Sequence, residues 1–161
     1  EGFDFGNSPT DIEAAASLIR GKTLVQTTHA GTQGLTNAHG ADDVLTGSLV
    51  NAGAICSYIT ALAPDRVSIV RMGQAATARC VEDDMCAELL VARLKGEAYD
   101  VSTIRSRLRS APAAQKFFDP AATWAPETDF ELCTDVDRFN FVLRLVQPRA
   151  GERPHLERID V

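Results

Sequence analysis

Two kinds of apolar spacing alternate along the chain. Thr23-Leu24-Val25-Gln26-Thr27-Thr28, Val44-Leu45-Thr46 and Val67-Ser68-Ile69-Val70 are short β-prone runs, each followed by a glycine-rich or polar stretch. Residues 51–63 read as a helix closed by Pro64, and residues 81–95 as another that stops before Gly96. Strand-like runs that alternate with helical ones predict an α/β fold, with a mixed or mostly parallel sheet flanked by helices. Residues 11–20 predict a further helix, with Pro9 and Thr10 at its start and Gly21 after its end.

Beyond Asp100, Val101, Ile104, Leu108 and Ala111 recur at spacings of three and four, which makes one apolar helical stripe. Pro112 interrupts it. Residues 119–128 read as a loop, 129–137 as a short helix and 141–146 as a late strand. The polar, proline-containing stretch 147–161 reads as a poorly ordered tail. The domain is therefore expected to span residues 1–146.

The 161 residues, 45% hydrophobic, suffice for one core, and the formal charge is −6. Arg105, Arg107 and Arg109 alternate and so do not share a helical face. With no basic stripe, a nucleic-acid partner is not expected. An acidic chain that takes an anionic ligand needs local donors or a bound cation to overcome the repulsion. The 4 cysteines include no C-x-x-C pair, so they read as reduced thiols of a cytoplasmic protein. No apolar run is long enough to cross a bilayer. The chain starts on Glu1 rather than Met, which reads as an excised or incomplete polypeptide.

Polar residues collect where each strand-like run gives way to a helix. In open parallel sheets that is where ligands bind, beside helix N-termini that favour anions. Gly31 and Gly34 would let backbone approach an anion, and Thr27, Thr28, Thr32 and Ser48 add hydroxyls. The same residues also read as ordinary turns, and Ser48 and Asn51 as helix caps. Glu82, Asp83 and Asp84 complement a helix dipole, or one or two of them bind Mg²⁺. His29 is a hydrogen-bonded structural residue, a general acid or an anion contact. Asp135 and Asp137 are open between caps, surface acids and groups supporting the site.

Four runs carry a resemblance: Gly2-Phe3-Asp4-Phe5-Gly6-Asn7-Ser8-Pro9, Thr27-Thr28-His29-Ala30-Gly31-Thr32, Gly47-Ser48-Leu49-Val50-Asn51-Ala52 and Glu82-Asp83-Asp84-Met85-Cys86-Ala87. In this order, with residues 133–140 as a closing motif, they resemble the 2-phosphosulfolactate phosphatase family of coenzyme M biosynthesis over residues 2–146. The resemblance implies that family's own α/β fold, a Mg²⁺ requirement, and hydrolysis of 2-phosphosulfolactate to sulfolactate and phosphate. It implies a phosphate cradle from Thr27, Thr28, Gly31, Thr32, Gly47, Ser48 and Asn51. Asp4, Asn7 and Ser8 would line the same cleft. Glu82 and Asp83 become metal or catalytic carboxylates, with His29 beside them.

Two departures accompany the match. His29-Ala30 stands where the family usually continues Thr-Asn before Gly-Thr, and a segment with an Asp/Arg motif normally precedes Gly2. The nucleophile stays open between a metal-bound water and a carboxylate. The expected partner is a small phosphorylated acid, with no membrane and with a homo-oligomer allowed. The contrasting expectation is a non-catalytic anion-binding module on the same fold.

Overall fold

Helices that carry apolar stripes must bury them, and the two longest do so against each other. The computed structural model describes residues 2–148 and 153–161. Helix α4 (Ala52–Leu62) buries Ala52, Ala54, Ile55 and Cys56 and ends at Ala63 in the left-handed region, just before Pro64. Helix α5 (Val81–Leu94) packs on it through Met85, Leu89, Leu90 and Ala92. Both match the lengths expected from their periodicity. Acids open α5 and Arg93 lies in its last turn, each at the end its charge favours.

Around this pair lie the short helices α1 (Pro9–Ala14), α2 (Ala16–Ile19), α3 (Gly31–Asn37), α6 (Ser102–Arg109) and α7 (Glu127–Cys133). The expected helix 11–20 is thus two pieces that meet at Ala15. In α6 the stripe is real, since Ile104 and Leu108 are buried. Met85, Leu89, Ile104 and Val142 are the largest fully enclosed side chains. Each contributes on the order of 1.5–3 kcal/mol of burial.

The sheet departs from expectation. Strands β1 (Leu45–Thr46), β2 (Phe141–Val146) and β3 (His155–Asp160) form an antiparallel sheet in the order β1-β2-β3. Leu45 faces Arg144, and Leu143 faces Arg158. The parallel sheet is therefore not what the described residues form. The runs at 23–28 and 67–70 are not laddered strands. Val25 is 89% and Val70 74% exposed. β-Branched residues favour extended backbone, but a strand needs a neighbour to complete its hydrogen bonds and cover its faces.

The stretch expected to be a tail instead supplies β3, whose six residues pair with all six of β2. Glu1 and residues 149–152 of that stretch lie outside the described residues. The glycine-rich residues after the first run, expected as a turn, coil into α3.

Candidate active site

Threonines four residues apart on one face can bond reciprocally, and Thr28 and Thr32 do. The Thr32 amide donates to Thr28 Oγ1 and the Thr28 amide to Thr32 Oγ1, both at 3.2 Å. Thr32 Oγ1 donates to the Thr28 carbonyl at 2.7 Å. Gly31 permits this closeness, because a Cβ there would stand 3.3 Å from Thr28 Oγ1. Thr27 and His29 are exposed beside the knot. Asn7 reaches this region as well, its Oδ1 accepting from Gln26 Nε2 at 3.3 Å, whereas Asp4 is exposed.

Helix α3 then meets the chain before α5. A Cβ on Gly34 would lie 2.6 Å from Met72 Sδ, so a larger residue there would displace the Met72 side chain. The next residue, Gly73, donates its amide to Asp83 Oδ2 at 2.6 Å. Gly34 of α3 is thus beside Met72, whose neighbour Gly73 is bonded to Asp83. Glu82 is exposed beside Asp83. Asp84 is held at 2.7 Å by Arg71 and at 3.0 Å by Arg79. Although desolvation opposes it, hydrogen bonds and charge from Arg79 and Arg71 pull the Asp84 carboxyl below its ordinary range.

The third group sits further along α5. A Cβ on Gly47 would touch Leu90 Cδ1 at 3.8 Å and Ile55 Cδ1 at 3.9 Å. Leu90 lies two turns beyond Asp83, about 10 Å along the helix axis. Ser48 is exposed and donates to Asn51 Oδ1 at 2.8 Å, while Asn51 Nδ2 donates to the Phe141 carbonyl at 3.1 Å. Asn51 is only 5% exposed, so its geometry suits orienting Ser48.

Ser8 is likewise enclosed. Its hydroxyl donates to Asp129 Oδ1 at 2.9 Å and accepts from the Asp11 amide at 3.2 Å, which caps α1. Asp129, which sequence reasoning passed over as part of a short helix, is 3% exposed and also accepts from the Thr10 amide. No local pattern announces a pairing across so much chain.

A cleft of about 290 Å³ is lined by Ile69, Arg71, Asp84, Ala87, Glu88 and Val91, of which only Asp84 was among the carboxylates the sequence offered for a metal. Among the described residues, no three His, Cys, Asp or Glu side chains gather as a metal site. Nor is any helix among them long and apolar enough to cross a membrane.

The thiols offer no nucleophile near neutral pH. Burial pushes Cys80 up to about 11, with Glu82 and Asp83 adding to it, and burial raises Cys86 to about 11. At pH 7 roughly one molecule in 10⁴ would carry either thiolate. Cys56 and Cys133 are raised by burial too.

Asp137, left open by the sequence, accepts at Oδ1 from the Gly53 amide at 2.6 Å and from Arg93 Nη1 at 2.8 Å. Its carboxyl is held below the usual range, chiefly by the Arg93 hydrogen bond and further by the Gly53 amide, against desolvation. Arg93 of α5 and Cys56 of α4 are the titratable groups facing it. A lowered folded value means stability present above the unfolded value of about 3.9 and lost as pH falls through the folded one. Wild type should therefore exceed Asp137→Asn in urea stability near neutrality. The gap is about 1–2 kcal/mol, discounted for solvent screening, and closes below about pH 4. A gap constant from pH 7 to pH 3 would contradict this.

Fold and geometry together describe an α/β domain that gathers hydroxyls, glycines and carboxylates near the starts of its helices. The chain belongs to the 2-phosphosulpholactate phosphatase family, whose sequence profile matches residues 1–148. It is 37% identical over 124 residues to a probable 2-phosphosulfolactate phosphatase of Gloeobacter violaceus, covering 77% of this chain and 46% of that protein. It is 29% identical to a protein of the same name from a Synechococcus, across 91% of this chain and 65% of the relative. A Clostridium acetobutylicum relative, also so named, is 42% identical over 73 residues, 45% of this chain and 30% of that protein. The chain thus spans less than two thirds of the length of these relatives.

Proposed function

We propose that the chain carries a Mg²⁺-dependent phosphatase activity that hydrolyses a small acidic phosphate monoester, 2-phosphosulfolactate, to sulfolactate and phosphate. Family membership over residues 1–148 carries the reading. In the reaction, water adds to phosphorus, the P–O bond to the sulfolactate carbon skeleton breaks, and the leaving alkoxide takes a proton.

The Thr27 and Thr28 hydroxyls would hold phosphate oxygens where Gly31 leaves room, and Thr32 and Ser48 would join them by exchanging the bonds their hydroxyls give to the Thr28 carbonyl and to Asn51. His29, exposed next to the threonine knot, would protonate the leaving oxygen. Glu82 and the Asp83 oxygen not bonded to Gly73 would offer oxygen donors from two neighbouring positions at the start of α5. That suits Mg²⁺, which takes one or two carboxylates and fills its shell with water and substrate oxygens. When bound, the ion would neutralise phosphate charge and favour attack by water. In a chain of net charge −6 this offsets the repulsion of an anionic substrate.

The 4 cysteines, all unpaired, suit a reducing compartment such as the cytoplasm. Self-association belongs to the same proposal, because Val25 and Val70 are 89% and 74% exposed. A monomer in light scattering would remove that part.

Phosphate release from phosphosulfolactate should require Mg²⁺ and stop with EDTA. Phosphate binding without turnover of this substrate or a panel of small phosphate esters would identify a binding module instead.

A further inference from the structure

Residues 47–51 lead into α4 through a short 3₁₀ turn over Leu49–Asn51, and this turn is tied down from one direction. The Asp137 amide donates to the Leu49 carbonyl at 3.1 Å and the Phe139 amide to the Val50 carbonyl at 2.8 Å. Asn51 Nδ2 adds its bond to the Phe141 carbonyl at 3.1 Å. The tethers come from the chain that leads into β2, and Asp137 begins them.

Asp137 also has a strained backbone, with φ of 62°. A non-glycine residue in the left-handed region costs on the order of 1 kcal/mol, so surrounding contacts must hold it there. Here those contacts are a two-pronged Arg93 fork, 2.8 Å to Oδ1 and 2.5 Å to Oδ2, and the Gly53 amide at 2.6 Å. One carboxylate therefore joins the first turn of α4 to the last turn of α5. The approach needs glycine at position 53, where a Cβ would fall 2.9 Å from Asp137 Oδ1.

We propose that Asp137, clamped by Arg93 and Gly53, is the positioning residue of the 47–51 turn, holding Ser48 where its hydroxyl can exchange its Asn51 bond for a phosphate oxygen. This rests on the phosphatase reading. The Gly53 amide is already committed to Asp137 and so is not offered to an anion. Asp137 touches no reacting atom; it acts through the turn.

The test titrates inorganic phosphate into wild type, Asp137→Asn and Gly53→Ala, with Arg109→Ala as a surface control, and follows turnover of phosphosulfolactate. Arg109 of α6 pairs with Glu127, both about half exposed, and neither takes part in the bonds that hold residues 47–51. Phosphate affinity should fall at least tenfold in both turn variants, with KM raised similarly and kcat changed less than threefold. Gly53→Ala separates positioning from general stability, because alanine favours the helix while crowding the carboxylate. It also keeps the test decisive if Asp137→Asn folds poorly. Wild-type phosphate binding with less than threefold loss in Gly53→Ala would overturn the positioning role and leave the phosphatase reading standing. A wild-type chain that neither binds phosphate nor releases it would sink both, and that result is read on the wild type alone.

Discussion

Gly73→Ala is expected to cost about 2–4 kcal/mol of folding stability and to reduce phosphatase activity more than tenfold. Gly73 has φ of 65°, and a Cβ there would meet the Ala78 carbonyl oxygen at 2.1 Å. The left-handed backbone alone costs alanine on the order of 1–2 kcal/mol, and relieving an overlap with backbone adds about 1–2 more. That oxygen is no flexible side-chain end. It accepts the Gln74 amide at 2.8 Å and closes the turn before α5. Moving it opens the turn and draws the Gly73 amide away from Asp83. Urea denaturation and the rate of phosphate release read the two effects. Wild-type stability in Gly73→Ala would show that the turn yields at no cost.

Asp83→Asn carries the second large expectation, a loss of at least 100-fold in turnover with a stability change below about 1 kcal/mol. The substitution isolates charge from shape. An asparagine carbonyl can still accept the Gly73 amide at the position of Oδ2, so the turn survives. What disappears is the negative charge of a group assigned to a magnesium ion or to proton transfer, and such losses cost roughly 10²–10³-fold. Glu82→Gln, at an exposed position, should lower turnover and cost less than about 1 kcal/mol, the loss of its charge at the start of α5. Undiminished phosphate release in the double variant would remove both carboxylates from the mechanism.

The site was unevenly legible. Local motifs mark Thr28, Gly31 and Thr32, and their reciprocal hydroxyl bonds depend on neighbours four residues apart. Ser8 was legible as polar but not as enclosed, since Asp129 reaches it across 121 positions. Asn51 looked equally suited to a cap or a ligand, and only its bond to Phe141 draws it inward. Arg93 gave no signal: a basic residue in a last turn is expected from the helix dipole alone, whatever it pairs with. Asp137 had a composition cue, an acid in a polar run, but its left-handed backbone depends on Arg93 and Gly53.

Local sequence established α4, α5, α6 and β2: an apolar stripe at spacings of three and four marks α6, helical runs ended by Pro64 and Gly96 mark α4 and α5, and an apolar run marks β2. The ordered motifs likewise sufficed for the family. Strand pairing was decided only by the tertiary structure. The runs at 23–28 and 67–70 have as much β character as β1, yet only β1 finds a neighbour in β2. Charged, unremarkable residues 155–160 become β3 because β2 offers them an open edge. A strand is a relation between two segments, and its free energy lies in hydrogen bonds and packing that neither sequence contains.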